Sequence, residues 1–150
     1  MSSLVARTPA DVVAQARALL ETPFHHQGRK AGVGVDCAGV PILVARVLGL
    51  VPSDFDVNGY SAQPDGFSLR DQCERFMCPW PHEEPGGVVL VAFRQDGVAQ
   101  HLGIVAEHPH GGLSIIHADN VRAKRVIETR LEWGAYMRRI AAYRLYGVSY

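Results

Sequence analysis

Cysteine is scarce in this chain: three residues in 150, at positions 37, 73 and 78. An odd and small number argues against a disulfide framework and leaves at least one free thiol. A surplus of either charge is also missing, since 15 Lys and Arg balance 15 Asp and Glu. No global field draws in nucleic acid or an anionic membrane surface, so no nucleic-acid partner is expected. No apolar run reaches spanning length, and the opening "MSSLVARTPADVV" has no basic start, apolar core or small-residue cleavage site. The expectation is a soluble chain made in the cytoplasm without a signal peptide and without membrane insertion. Metal-ligand spacing is absent as well. Cys73 and Cys78 lack the two-residue spacing of zinc knuckles, and His25-His26 and His108-Pro109-His110 come without carboxylates arranged for a metal. No metal and no cofactor are expected. Without internal repeats, 150 residues form one domain, 1–150, with a core of its own.

What is present begins with Thr8-Pro9-Ala10-Asp11, an N-cap, a proline at the first helical position and an acid in the first turn. Val12, Val13, Ala16, Leu19 and Leu20 continue it as an apolar stripe, so a first helix is predicted, ending before Pro23. "TPFHHQGRKAGVGV" is rich in glycine and polar residues and reads as a loop delivering the chain to a second helix. There Val40, Leu43, Val44, Val47 and Leu48 have helical spacing, and Gly49 stands where a left-handed C-terminal cap belongs. With Asp36 as N-cap, Pro41 sits awkwardly, removing a backbone bond.

Residues 51–85 read as an irregular insertion and a candidate partner surface, with a turn at Pro64-Asp65-Gly66. One short helix is expected inside it, capped by Ser68 and Asp71, with Leu69, Cys73, Phe76 and Met77 as its stripe and Cys73 in the core. After Pro85-Gly86-Gly87 the pattern changes to strands: Val88 to Phe93, His101 to Glu107 and, past a "HPHGG" turn, Leu113 to Ala118. Further strands are expected near Arg122 to Ile127 and Arg139 to Tyr146, with a helical turn or two in "TRLEWGAYMR" between them. Helices first and strands afterwards give an α+β fold, N-terminal helices packed on a central antiparallel sheet.

A cysteine at a helix start sees the partial positive charge of aligned peptide dipoles, which favours the nucleophilic thiolate. The exposed N–H groups around Asp36 and Cys37 are also placed to hold an oxyanion. Across the predicted hairpin, His101 and His117 share a face for any even pairing sum. They stand directly opposite at 218 and become diagonal neighbours at 220, in reach across roughly 5 to 8 Å. His101 then acts as base toward Cys37 while His117 bonds its other ring nitrogen and fixes the tautomer. This is the logic of a cysteine, histidine and orienting-group triad. Singly, each residue has a plainer reading, since cysteine is often a small core residue.

In that order, "GVDCAGV", "QHLGIV" and "IIHA", with "TPFHHQG" before them and "EPGGVVLVAF" between, resemble the NlpC-type cell-wall cysteine peptidases of the papain-like superfamily. The resemblance runs from about Thr22 to the C-terminal strand. "TPFHHQGRKAGVGVDC" looks most like the branch attached to phage tails and gene transfer agents. It implies a papain-like fold and hydrolysis of peptidoglycan stem peptides, often between the γ-carboxyl of D-glutamate and diaminopimelate. It also implies Cys37 as nucleophile, His101 as base and His117 as the orienting residue. The chain departs from the family at Phe24, where relatives commonly carry a tyrosine hydroxyl near the site; His25 and His26 are the candidate replacements and, with Phe24, candidate substrate contacts. Gly87 stands for the usual aspartate and Ala38 for the common serine. The expected partners are the peptidoglycan peptide and phage-tail or hub proteins, and the expected destination is a phage-like particle. A catalytically silent tail-hub or cell-wall binding module, and an amidase or acyltransferase on the same nucleophile, remain open alternatives.

Overall fold

The computed structural model describes residues 5–61, 65–93, 101–134 and 136–150. Pro64 of the expected turn, Gln100 of the motif before His101, and Ala135 lie outside them. The first helix, α1 (Pro9–Arg17), starts as the sequence predicts: Asp11 N donates to the Thr8 hydroxyl and the Asp11 carboxylate accepts from Thr8 N. The expected loop after it contains a short hairpin, β1 (Arg29–Lys30) paired with β2 (Gly34–Val35).

The second helix, α2 (Gly39–Val47), begins later than an Asp36 cap implies, and this accounts for Pro41. Pro41 is the third helical residue, where the backbone N–H has no intrahelical acceptor, so its absence costs the helix nothing. Gly49 takes the left-handed conformation expected of it, at φ +70°. Val40, Leu43, Val44 and Leu48 are buried, but Val47 of the predicted stripe is 63% exposed. Nine residues make a helix too short to stand alone in water, so packing holds α2 in place.

In the insertion, α3 (Ser68–Phe76) buries Leu69 and Cys73 as predicted. Its cap differs: Asp65, not Ser68, supplies the oxygen, accepting from Phe67 N at 3.0 Å and Ser68 N at 2.8 Å. The helix leads into a strand the sequence reading missed, β3 (Cys78–Trp80). Strands β4 (Val88–Phe93), β5 (His101–Glu107) and β6 (Leu113–Ala118) have the predicted bounds.

The next strand, β7, runs Val126–Arg130 rather than 122–127. The reason is Asp119, whose carboxylate takes the N–H groups of Val121, Arg122 and Ala123 into a turn. No helix occupies 129–134; Thr129 and Arg130 belong to β7, and the last strand, β8, is Met137–Arg144.

The architecture is α+β, a six-stranded antiparallel sheet in the order β3-β8-β4-β5-β6-β7. Alternation along the strands splits the apolar residues between two faces. Leu90, Leu102, Ile104, Ile116 and Tyr143 pack with Val12 and Ala16 of α1 and with Val40 and Val44 of α2. Val89, Val91, Val105, Ile115 and Met137 form a second cluster with Phe93 and Leu113. No helix among the described residues is long and apolar enough to cross a membrane.

Candidate active site

The β5–β6 register decides whether the two histidines meet. Ile104 pairs with Ile116 and Val105 with Ile115, the 220 register, which makes His101 and His117 diagonal neighbours. His101 Nε2 and His117 Nδ1 lie 2.6 Å apart, with the rings nearly perpendicular at 86°. Phe93 covers both rings, its centroid 5.1 Å from that of His101 and 6.5 Å from that of His117. Beyond them, Thr129 Oγ1 lies 3.4 Å from His117 Nε2. One tautomer set satisfies this chain with a base at its head. His101 carries its proton on Nε2 and donates to His117 Nδ1, and His117 donates from Nε2 toward Thr129. The Nδ1 of His101 is then free to accept a proton.

Both rings are held neutral. Burial pushes His101 well below the usual histidine range, His117 adds to that effect, and the Asp119 charge opposes it. Burial lowers His117 to about 4, again against Asp119. Asp119 itself is kept ionised by the three backbone N–H groups of its turn, which outweigh its partial burial.

Cys37 stands in the turn before α2, partly exposed and packed against the helix-side core. Its sulfur faces the backbone N–H of Leu102, the residue after His101 on β5, and that of Ala38. Among the described residues no hydrogen bond joins the thiol to either imidazole. The expected dipole-stabilised thiolate is not what this arrangement gives. Burial first, and then the adjacent Asp36 carboxylate, push the thiol up to about 12, against the two backbone N–H groups and Arg29. The site at rest is therefore a neutral thiol beside neutral imidazoles.

Asp36, expected among the oxyanion groups, instead anchors the nucleophile turn. It is 2% exposed and its carboxylate meets four donors. Oδ1 accepts from Gly39 N and Arg29 Nη1, each at 2.8 Å, and Oδ2 from Gln27 N at 2.8 Å and the Tyr60 hydroxyl at 2.6 Å. The closeness explains Gly39: a Cβ there would sit 2.4 Å from Val35 Cγ2 and 2.8 Å from the Gly28 carbonyl oxygen. With Gly39 N and Val40 N both bonded to Asp36, the Cys37 N–H is the remaining candidate for an oxyanion.

Of the other candidates, His26 joins this cluster, its Nδ1 3.8 Å from Asp36 Oδ2 and its ring edge-on to Tyr60. His25 is exposed and turned to the His26 carbonyl oxygen, and Phe24 is half-buried against the core. Sequence reasoning missed Arg29, Tyr60 and Thr129. Nothing in their spacing singles them out, because each is placed by a fold contact rather than by a local motif.

Two cavities flank these residues. A cleft of about 430 Å³ opens over His117, walled by Asp119, Arg122, Thr129, Arg130 and Tyr136. An apolar pocket of about 250 Å³ lies behind the nucleophile turn, touching Ala38, Tyr60 and Leu102. Among the described residues no cluster of His, Cys, Asp and Glu is arranged to hold a metal ion.

No protein-family model and no curated protein matches the chain. Solved structures do. The chain is similar to the NlpC/p60 domain of the peptidoglycan hydrolase SagA, with 20% identity and a TM-score of 0.59 over 92% of this chain and 99% of that one. It is also similar to an N-acetylmuramoyl-L-alanine amidase from Bacteroides uniformis, with 10% identity and a TM-score of 0.55 over 91% of this chain and 98% of that one. The fold is that of NlpC/p60 domains.

Proposed function

We propose that the chain is a cysteine hydrolase of the bacterial cell wall that cuts peptidoglycan stem peptides, with Cys37 as nucleophile, His101 as base and His117 as the orienting residue. The observation that carries this reading is the buried 2.6 Å His101–His117 pair on β5 and β6, beside the strand position that meets the Cys37 sulfur. Buried titratable rings with strongly lowered pKa values beside a cleft mark a candidate functional site. The fold shared with a peptidoglycan hydrolase and an amidase supports the substrate class.

In the reaction the Cys37 thiol gives its proton to His101 Nδ1 as the sulfur attacks the amide carbonyl. Because thiol and imidazole start neutral, this transfer accompanies attack. The Cys37 N–H supports the oxyanion. His101 then protonates the leaving amine, and a water molecule deprotonated by the same ring releases the acyl group. The γ-D-glutamyl-diaminopimelate bond is the expected target, and the cleft over His117, with Arg122 and Arg130 beside Asp119 and Glu132 in its wall, suits a peptide that bears both free amine and carboxylate groups. A second reading, cleavage of the amide joining the sugar to the peptide, is favoured by the fold shared with the amidase.

Mass spectrometry of peptidoglycan fragments incubated with the protein and with Cys37→Ala decides between these. Cysteine-dependent new termini establish the hydrolase and name the bond; no cleavage by either protein overturns the enzyme reading in favour of a cell-wall binding module. The setting we propose is a phage-tail or gene-transfer-agent hub, to which the chain is delivered by assembly. It rests on "TPFHHQGRKAGVGVDC" and on the 51–85 insertion as docking surface. Tail particles that contain no copy of the chain contradict it.

A further inference from the structure

A polar cluster of Arg29, Asp36, Asp56 and Tyr60 lies one residue from the proposed nucleophile and has no part in the proton chain of the histidines. Arg29 Nε bonds Asp56 and Nη1 bonds Asp36, each at 2.8 Å, while Nη2 bonds the Tyr60 hydroxyl at 2.5 Å and the Val57 carbonyl oxygen at 3.3 Å. Tyr60 in turn donates a hydrogen bond from its hydroxyl to Asp36 Oδ2 at 2.6 Å and is 8% exposed. Three separated stretches, the β1–β2 hairpin, the nucleophile turn and the segment before α3, are thus tied at one carboxylate. The tie uses both Asp36 oxygens, so the turn Asp36-Cys37-Ala38 has little rotational freedom.

We propose that Tyr60 and Arg29 are positioning residues for Cys37, acting through Asp36 to set where the thiol sits and how strongly the Asp36 charge bears on it. Tyr60 reaches Asp36 from the segment before α3. The other groups around the sulfur are Cys73 of α3, neutral and buried, and the neutral His101 of β5; His26 and Asp56 act on Asp36 and Arg29 from the rim. Arg29 draws the thiol down while Asp36 raises it. A well-partnered Asp36 spreads its charge into its donors, and a donor lost returns that charge to the sulfur.

The inference rests on the reading of Cys37 as nucleophile, but its test does not need hydrolysis. The rate of iodoacetamide alkylation is followed against pH by mass spectrometry of the peptide that carries Cys37, which separates it from Cys73 and Cys78. Tyr60→Phe, which removes one donor from Asp36 and keeps the Arg29 contact, is expected to slow alkylation at pH 8, about tenfold for each pH unit the midpoint rises, and to move the midpoint up. Asp36→Asn is expected to move the midpoint down, and Arg29→Lys to keep it nearer wild type than Arg29→Gln does. Opposed shifts in the Tyr60 and Asp36 variants, each with a folded circular-dichroism spectrum, support positioning. Unchanged midpoints in both overturn it. If the shifts occur in a protein that cleaves no peptidoglycan, the hydrolase reading fails and the positioning role stands.

Discussion

At Cys37 two influences of opposite sign meet: burial and Asp36 favour the thiol and prevail over the Leu102 and Ala38 N–H groups and Arg29, which favour a thiolate. The nucleophile therefore needs its base at the moment of attack. Cys37→Ala and His101→Ala are each expected to abolish cleavage in a stem-peptide assay, a loss of at least the 10²-fold typical of a general base. His117→Ala leaves His101 in place but without its partner, so a reduced kcat at unchanged KM is expected. Thr129→Val removes only a 3.4 Å contact and should cost less than about tenfold, near the ~1 kcal/mol of one ordinary hydrogen bond. An equal loss in the Thr129 and His117 variants contradicts the order of that chain. The positions of Cys37, His101 and His117 were legible because each stands in a short motif at an element boundary, and an even pairing sum, which the register of β5 on β6 supplies, puts both histidines on one face. Arg29 and Tyr60 were not, since their common partner Asp36 is 7 and 24 positions away with no periodicity to link them.

The elements show where local signals suffice and where tertiary contacts override them. β4, β5 and β6 were readable to the residue because a continuous apolar run after Gly86-Gly87, an alternating stretch and a run after the "HPHGG" turn each mark a strand. β3 was hidden by its own sequence, Cys-Pro-Trp, yet Pro79 is tolerated because β3 lies at the sheet edge against β8 alone. β7 was displaced by the Asp119 turn, a side-chain-to-backbone capture that apolar patterning does not register. At α3 two caps competed on paper, Ser68 and Asp65, and the loop geometry selects Asp65. Asp65→Ala should thus lower the urea midpoint, whereas Ser68→Ala should have a smaller effect. Urea midpoints of the two variants test this, and the reverse order restores the capping box at Ser68. The Asp65 carboxyl is held below its ordinary range by Ser68 N and Phe67 N, so the contribution is present near neutral pH and is lost as acid protonates it.

The fold pays a stability cost in acid for keeping two imidazoles neutral in its interior. In the unfolded chain a histidine takes up a proton near pH 6.5; in the folded chain His117 does so only at about 4, and His101 lower still. Between those values the unfolded state binds more protons than the folded one, so stability rises with pH across the window and falls as acid is added. For His117 alone the depression corresponds to about 3 kcal/mol by the time pH 4 is reached, a large part of the 5–15 kcal/mol that holds a domain of this kind together. Asp119, whose carboxyl is lowered by its turn, adds a loss in the same direction at still lower pH. Urea unfolding from pH 7 to pH 4 should therefore show a steadily falling midpoint for the wild type. His117→Gln, which cannot be protonated and keeps a polar group beside His101, should show a shallower fall over the same range whatever its stability at pH 7. Equal slopes for the two proteins mean that the ring is solvated enough to take its proton in the folded state, and with it goes the argument that the proposed catalytic pair rests neutral.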